Sequence, residues 1–152
     1  VAHFMHKRVH EVPHTGGASS LRKSWWHQKI YDDALTKIRT LGWQGVVMIE
    51  YRWNPKTDEF YLMEMNCRFW GSLHLALHSN VDFPMLLVEC FRDNIPSPKL
   101  DFKQNVYCRW TYPREVQYVW SLLKDKNISV LKKLGAVTEF IFLSLVNRMQ
   151  SI

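Results

Sequence analysis

The chain has 152 residues, of which 47% are hydrophobic and 14% aromatic, and this is enough for one domain with a substantial core. Such a composition excludes a disordered or fibrous protein. Twenty lysines and arginines against fourteen acidic residues give a formal charge of +6, which favours an anionic partner such as a nucleotide phosphate, nucleic acid or a membrane surface. No apolar run is long enough to span a bilayer and no signal peptide is recognisable, so we predict a cytoplasmic protein without a membrane segment.

Hydrophobic periodicity and turn residues predict an α+β fold in which an antiparallel β-sheet carries helices packed on one face. The predicted strands are residues 2–12, 46–53, 60–66 and 105–113, with a Gly/Ser/Thr turn cluster at 13–20. The predicted helices are 27–41, ending at Gly42; a short one within 71–79; 82–94, opened by Asp82; 114–126; and 129–149, with a break near Gly135. The strongest local prediction is the β-hairpin formed by 46–53 and 60–66.

The chain starts directly in strand-like sequence and stops in a helix without a terminator. We therefore expect it to be a piece of a longer protein.

Alternation along the hairpin sorts its side chains onto two faces. The predicted apolar face carries Val47, Ile49, Tyr51, Trp53, Tyr61, Met63 and Met65. The opposite face carries Met48, Glu50, Arg52, Leu62, Glu64, Asn66 and Arg68. With the turn centred near Thr57, Glu50 lies opposite Glu64, with Cβ atoms roughly 5 Å apart. Two opposed carboxylates repel each other unless a cation lies between them, one is protonated, or Arg52 and Arg68 neutralise them.

The oxygen-only set Glu50, Glu64 and Asn66 suits a hard cation such as Mg²⁺ or Mn²⁺ and not zinc. Mg²⁺ completes its shell with waters and phosphate oxygens, so this set indicates a nucleotide, and Arg68 is placed to meet charge on a transferring phosphoryl group. The alternative from spacing alone is a solvated sheet face with surface Glu–Arg pairs.

The run GWQGVVMIEYRWNPKTDEFYLMEMNCRFWGSLHLALHSNVDFP resembles the C-terminal half of an ATP-grasp domain of the carbamoyl-phosphate-synthase-like or carboxylate–amine ligase type. In that superfamily the last hairpin ends in Glu-x-Asn followed by Arg, matched here by Glu64, Asn66 and Arg68, with Cys67 where proline is usual. The segment FMHKRVHEVPHTGGASSLRKS also resembles the strand and glycine loop that precede the last helix and hairpin in that group. The resemblance covers about residues 3–92.

This resemblance implies that Glu64 and Asn66 are Mg²⁺ ligands bridging the ATP phosphates and that Glu50 is the other acidic residue near the metals. Arg68 is implied as the catalytic residue at the γ-phosphate or acyl-phosphate. Lys7 and Arg8 are expected to face the cleft, and residues 15–20 to lie near substrate or phosphate.

We accordingly expect residues 1–99 to form the metal and phosphate side of an ATP-grasp domain and residues 100–152 to form a strand plus helical extension of it. The resembling ligases use ATP to convert a small carboxylate into an acyl-phosphate that an amine attacks. Because the other half of such a site would precede Val1, we expect the isolated chain to bind Mg-nucleotide weakly and to be inactive. Whether it counts as an enzyme, and whether it forms a homodimer, stay open.

A hypothesis from another class is a non-catalytic binding module, either a degenerate ATP-grasp remnant or a basic, aromatic domain that binds nucleic acid. Arginines interleaved with aromatic residues, as in Arg109, Trp110 and Tyr112, could stack on bases. No RNA- or DNA-binding motif accompanies them, so packing is the preferred explanation and nucleic acid is disfavoured.

Overall fold

The computed structural model describes residues 1–92, 95–98, 101–145 and 150–151. Its main sheet has four strands in the order β1-β2-β5-β6: β1 His6–Val12, β2 Ala18–Ser24, β5 Tyr107–Arg109 and β6 Gln150–Ser151. β1 and β5 both pair antiparallel with β2, whereas β6 pairs parallel with β5. The second sheet is the hairpin of β3 Met48–Trp53 and β4 Phe60–Asn66. The predicted α+β class with antiparallel strands is confirmed.

Strand β2 is absent from the sequence-based prediction, which placed residues 13–20 in a turn. Its residues Ser20, Arg22 and Ser24 are buried together with Leu21, so the strand carries no alternation of apolar and polar residues. Ser24 shows what compensates for this burial. Its hydroxyl donates to the Lys103 carbonyl at 2.8 Å and accepts from the Val106 N–H at 2.9 Å. A buried hydroxyl needs a hydrogen-bond partner. For Ser24 both partners come from a segment about eighty residues further along the chain, which a local sequence pattern does not reveal.

The hairpin forms where it was predicted, but a bulge changes its faces. Glu50 pairs with Glu64, yet the next residue, Tyr51, pairs with Leu62, so Met63 has no opposite partner. Beyond the bulge Tyr61 lies opposite Arg52. The prediction that Tyr61 shares a face with Tyr51 and Trp53 is therefore wrong, because one extra residue reverses the alternation on β4.

Five helices accompany the sheets in the described part of the chain: α1 Gln28–Thr40, α2 Leu73–His78, α3 Phe83–Phe91, α4 Val116–Lys124 and α5 Val130–Leu145. The predicted caps are present: the Asp82 carboxylate accepts from the Met85 N–H at 2.9 Å, and Gly42 adopts φ +58° directly after the C-cap of α1. The predicted break at Gly135 is wrong, since α5 runs through that residue.

Several boundaries also differ from the predictions. An irregular π-helical segment, Thr111–Glu115, precedes α4, so the strand predicted for 105–113 shortens to three residues. The predicted ends of two helices, residues 93–94 and 146–149, and the boundary between residues 99 and 100 lie outside the described residues. Among the helices that are described, none has both the length and the apolarity needed to cross a bilayer.

Glycine is required at position 17, just before β2, because the backbone there approaches Val12 at the end of β1. A Cβ added there would lie 2.1 Å from the Val12 carbonyl oxygen. Gly17→Ala is therefore expected to lower the free energy of unfolding by about 2 kcal/mol or more, measured by urea denaturation. Gly135→Ala in α5 is the matched control, because no atom lies within 4 Å of its added Cβ. It should raise the stability by up to about 1 kcal/mol through helix propensity, and equal effects of the two changes would contradict this explanation.

Candidate functional site

A broad cleft of about 1910 Å³ lies between β1, the β3-β4 hairpin, α1 and α3. Five of the residues singled out in the sequence line it: Lys7, Arg8, Glu50, Glu64 and Arg68. The fold thus brings the basic pair of β1 and the acidic pair of the hairpin to one cavity, although more than forty residues separate them in the chain. Asn66, at the end of β4, is outside this lining set.

Asp58, in the turn of the hairpin that carries the acidic pair, connects this hairpin to the start of α1 through hydrogen bonds and an ion pair. The Asp58 carboxylate accepts from His27 Nε2 at 2.7 Å and from Trp53 Nε1 at 3.1 Å, and it pairs with Lys29. Hydrogen bonds from Lys29, Trp53 and His27, in that order, hold the pKa of Asp58 well below its usual range. Because His27 also caps α1 by accepting from the Ile30 N–H, the turn of the hairpin and the start of the helix share one polar cluster.

Glu50 and Glu64 lie directly opposite each other, as the spacing predicted. The partner of Glu50 is Arg8, whose Nη2 forms an ion pair with Glu50 Oε2. The same guanidinium donates through Nη1 to the Gly17 carbonyl at 3.0 Å and to Glu11 Oε1 at 3.3 Å. Arg8 therefore joins β1, the glycine loop and the hairpin, so the partner of Glu50 comes from β1 and not from an arginine of the hairpin itself.

The remaining predicted residues lie at the end of β4. Asn66 Nδ2 donates to Glu64 Oε1 at 2.8 Å, which places the amide beside that carboxylate. Arg68 is exposed, and its Nη1 donates to the Phe69 carbonyl at 3.2 Å. On β1, the Lys7 ammonium lies 5.7 Å from the centre of the Trp25 ring.

The donors near the hairpin fit a hard divalent cation. Two opposed carboxylates and the amide oxygen of Asn66 could provide oxygen ligands, and Mg²⁺ needs few protein ligands because it retains waters and phosphate oxygens. In the part of the chain that the structure describes, no cluster of three or more His, Cys, Asp or Glu side chains could hold a metal on its own.

A second group of polar residues in the same cleft was missed from the sequence. Arg22, on β2, is 3% exposed, and its Nη2 lies 3.0 Å from His74 Nε2. Close by, Ser72 Oγ and His6 Nε2 are 3.1 Å apart. Burial, followed by the charge of Arg22, lowers the pKa values of His6 and His74 to about 4. The pairing of Arg22 opposite Arg8 across β1 and β2 could have revealed this group, but only with β2 correctly predicted.

A protein-family model described as "ATP-grasp in the biosynthetic pathway with Ter operon" matches residues 5–112. The chain belongs to this ATP-grasp family. The matched segment of the ATP-grasp chain runs from the residue before β1 to the start of the segment that precedes α4. It contains both acidic residues of the hairpin, the basic pair of β1 and the Arg22 group, whereas α4 and α5 follow it. Comparisons with curated proteins and with solved structures found no match.

Proposed function

We propose that this chain forms the metal- and phosphate-binding side of an ATP-dependent ligase site. The observation that supports this most is the directly opposed pair Glu50 and Glu64, facing a cleft that Lys7, Arg8 and Arg68 also line. Opposed carboxylates destabilise a sheet unless positive charge lies near them. Arg8 supplies one such charge to Glu50, and a divalent cation would supply the second.

In this proposal Glu50, Glu64 and Asn66 hold Mg²⁺ or Mn²⁺. The bound cation would neutralise charge on the ATP phosphates. Arg8 orients Glu50 through their ion pair and, with Lys7, contributes positive potential to the side of the cleft opposite the hairpin. Arg68 is exposed just beyond β4 and is the proposed catalytic residue. Its guanidinium can donate two parallel hydrogen bonds to two oxygens of a phosphoryl group.

The reaction proposed for the complete site is the formation of an acyl-phosphate. A carboxylate oxygen of a small substrate attacks the γ-phosphorus of ATP and ADP leaves; an amine then attacks the acyl carbon and phosphate leaves. Residues 1–99 would carry the site and residues 100–152 would support it, in a cytoplasmic protein. Alone, the chain is expected to bind Mg-nucleotide weakly and to lack turnover, because ATP-grasp sites close between two subdomains.

The metal assignment is tested by Mn²⁺ binding, followed through the electron paramagnetic resonance signal of free Mn²⁺ with and without ATP. The protein with ATP is expected to remove more free Mn²⁺ than ATP alone does. Glu64→Ala is expected to weaken this ternary binding by about tenfold or more, since even outer-shell changes at metal sites cost that much. Asn66→Ala should weaken it less, because an amide oxygen carries no net charge.

Glu59→Ala is the matched control. Glu59 immediately precedes β4 on the same hairpin, is exposed, and pairs only locally with Thr57, outside the lining of the cleft. Equal Mn²⁺ binding by Glu64→Ala and Glu59→Ala would overturn the metal assignment. Binding of oligonucleotides that needs no metal and falls steeply with salt would favour the non-catalytic module instead.

A further inference from the structure

Arg22 is a buried cation with no carboxylate partner among the described residues. Its side chain lines the cleft although the residue is only 3% exposed, and its Nε has no hydrogen-bond partner within the described structure. Across the sheet it lies directly opposite Arg8. The charge of Arg8 is met by Glu50 and Glu11, but no ion pair within the described ranges includes Arg22. A buried charge without a counter-charge is strongly destabilising, so a bound anion would stabilise this guanidinium.

The neighbours of Arg22 do not supply that negative charge. His74 is the partner of Nη2, and burial followed by the charge of Arg22 lowers its pKa to about 4, so it is a neutral imidazole at neutral pH. Cys108 lies opposite Arg22 on β5, and burial raises the pKa of its thiol, which keeps it protonated. Both groups are neutral, so they leave the charge of the guanidinium uncompensated.

Further hydrogen-bonding groups lie beside Arg22 on the cleft wall. His6 is close enough to Arg22 for the guanidinium to depress its pKa, after the larger effect of burial. Its Nε2 lies 3.1 Å from Ser72 Oγ, and His6, Ser72 and Arg22 all line the cavity. A neutral imidazole has one N–H and a hydroxyl one O–H, and the hydrogen bond between them uses one of these protons. The pair can therefore donate one hydrogen bond to an oxyanion, whereas a guanidinium donates several.

We propose that Arg22, with Ser72 and His6, forms a binding site for an oxyanion, either a carboxylate or a phosphate, in the cleft. The site is distinct from the proposed metal ligands of the hairpin, because Arg22 is on β2 and bonds to α2. This inference rests on the proposed function only because both sites lie in the same cleft. It gives that cleft two separately charged regions: an acidic one at Glu50 and Glu64 for a cation, and a basic one at Arg22 for an anion.

The test uses the intact chain without nucleotide or divalent metal, titrated with sodium phosphate or sodium succinate at constant ionic strength set by NaCl. The ¹⁵N-labelled Arg22 Nε–H resonance is expected to shift with saturation in at least one titration. Arg22→Met is expected to weaken that anion's binding, measured by calorimetry, by about tenfold or more, as loss of a charged hydrogen-bond donor does. Arg92→Gln is the control, because Arg92 is exposed at the end of α3 and outside the lining of the cleft.

Each outcome has a defined meaning. Saturation by phosphate alone assigns the site to a phosphoryl group, saturation by succinate alone assigns it to a substrate carboxylate, and saturation by both assigns it to oxyanions in general. Absence of saturable binding of either anion, or equal binding by Arg22→Met and Arg92→Gln, overturns the proposal. The anion titrations contain no divalent metal and the Mn²⁺ measurement does not involve Arg22, so the anion site and the metal assignment can fail independently. Should Arg22→Met fail to fold, the wild-type Nε–H titration decides alone.

Discussion

Replacing His10 with alanine is expected to lower the free energy of unfolding by about 1–3 kcal/mol or more, the cost of leaving a buried hydrogen-bonding group without its partner. The His10 ring is 7% exposed, and its Nδ1 lies 3.1 Å and 3.3 Å from the two oxygens of Glu115. Glu115 is 1% exposed, and His10 is its one side-chain partner in the described structure. Without the imidazole, that carboxylate stays buried and unpaired.

The surroundings of His10 explain why this pair affects more than one element. The ring stacks on Tyr118 of α4 with centres 4.1 Å apart, and its Nε2 lies 3.7 Å from Glu139 of α5. Since His10 belongs to β1, the pair joins the main sheet to the helices that follow the matched family segment. We therefore expect His10→Ala to loosen α4 and α5 from the sheet before the hairpin is affected.

Urea denaturation monitored by circular dichroism measures the effect, with His78→Ala as the matched control. His78 is exposed on α2, and its replacement should change the stability by about 0.5 kcal/mol or less. A double change, His10→Phe with Glu115→Leu, should be less destabilising than His10→Ala, because it removes the buried carboxyl group together with its partner. If His10→Ala and His78→Ala cost the same, Glu115 does not depend on His10.

Acidification is expected to destabilise the protein between pH 6.5 and pH 4, a window that begins about two pH units above the usual pKa values of carboxyl groups. Burial and the charge of Arg22 lower the pKa values of His6 and His74 from 6.5 to about 4. In this window the unfolded chain binds protons at both histidines and the folded chain does not, so stability falls as the pH falls. The difference approaches about two protons in the middle of the window, and it vanishes below pH 4, where both states are protonated.

Two measurements check this expectation. The slope of unfolding free energy against pH should be steeper in wild type than in the double variant His6→Gln, His74→Gln. The imidazole Cε1–H resonances of His6 and His74 should titrate near pH 4 in the folded chain; titration near 6.5 would contradict the burial argument.

A second loss of stability at lower pH is expected from Asp58, Asp33 and Asp125, whose pKa values are lowered by hydrogen bonds from neighbouring donors. Their contribution is present above 3.8 and is lost as the pH falls through the folded values.

Much of the hairpin could be predicted from sequence because its determinants are local. Alternation and the Asn54–Glu59 turn set the pairing of Glu50 with Glu64, and the structure has that register. The bulge at Met63 could not be predicted, since the extra residue looks identical to its neighbours in a regular strand. The prediction therefore placed Tyr61 and Leu62 on the wrong faces. It placed the acidic pair correctly, because the bulge lies between that pair and the turn.

The basic side of the cleft could be predicted only in part. Lys7 and Arg8 were expected there, but the partner of Arg8 was not, because the ion pair with Glu50 joins residues more than forty positions apart. Arg22 was missed altogether: its strand is polar, and a polar strand becomes stable in the interior only through bonds such as those from Ser24 to the distant Lys103 and Val106. Neither bond leaves a periodic pattern in the sequence.

The sequence by itself therefore determined the α+β class, the ATP-grasp resemblance and the opposed acidic pair, because alternation, turn residues and a compact motif act over short distances. Only the tertiary structure decided which charges meet. It paired Arg8 with Glu50, left Arg22 without a counter-charge among the residues that the structure describes, and joined His10 to Glu115. The energy of a charge depends on its burial and on the partners within a few ångströms, and both are set by packing between segments far apart in the chain.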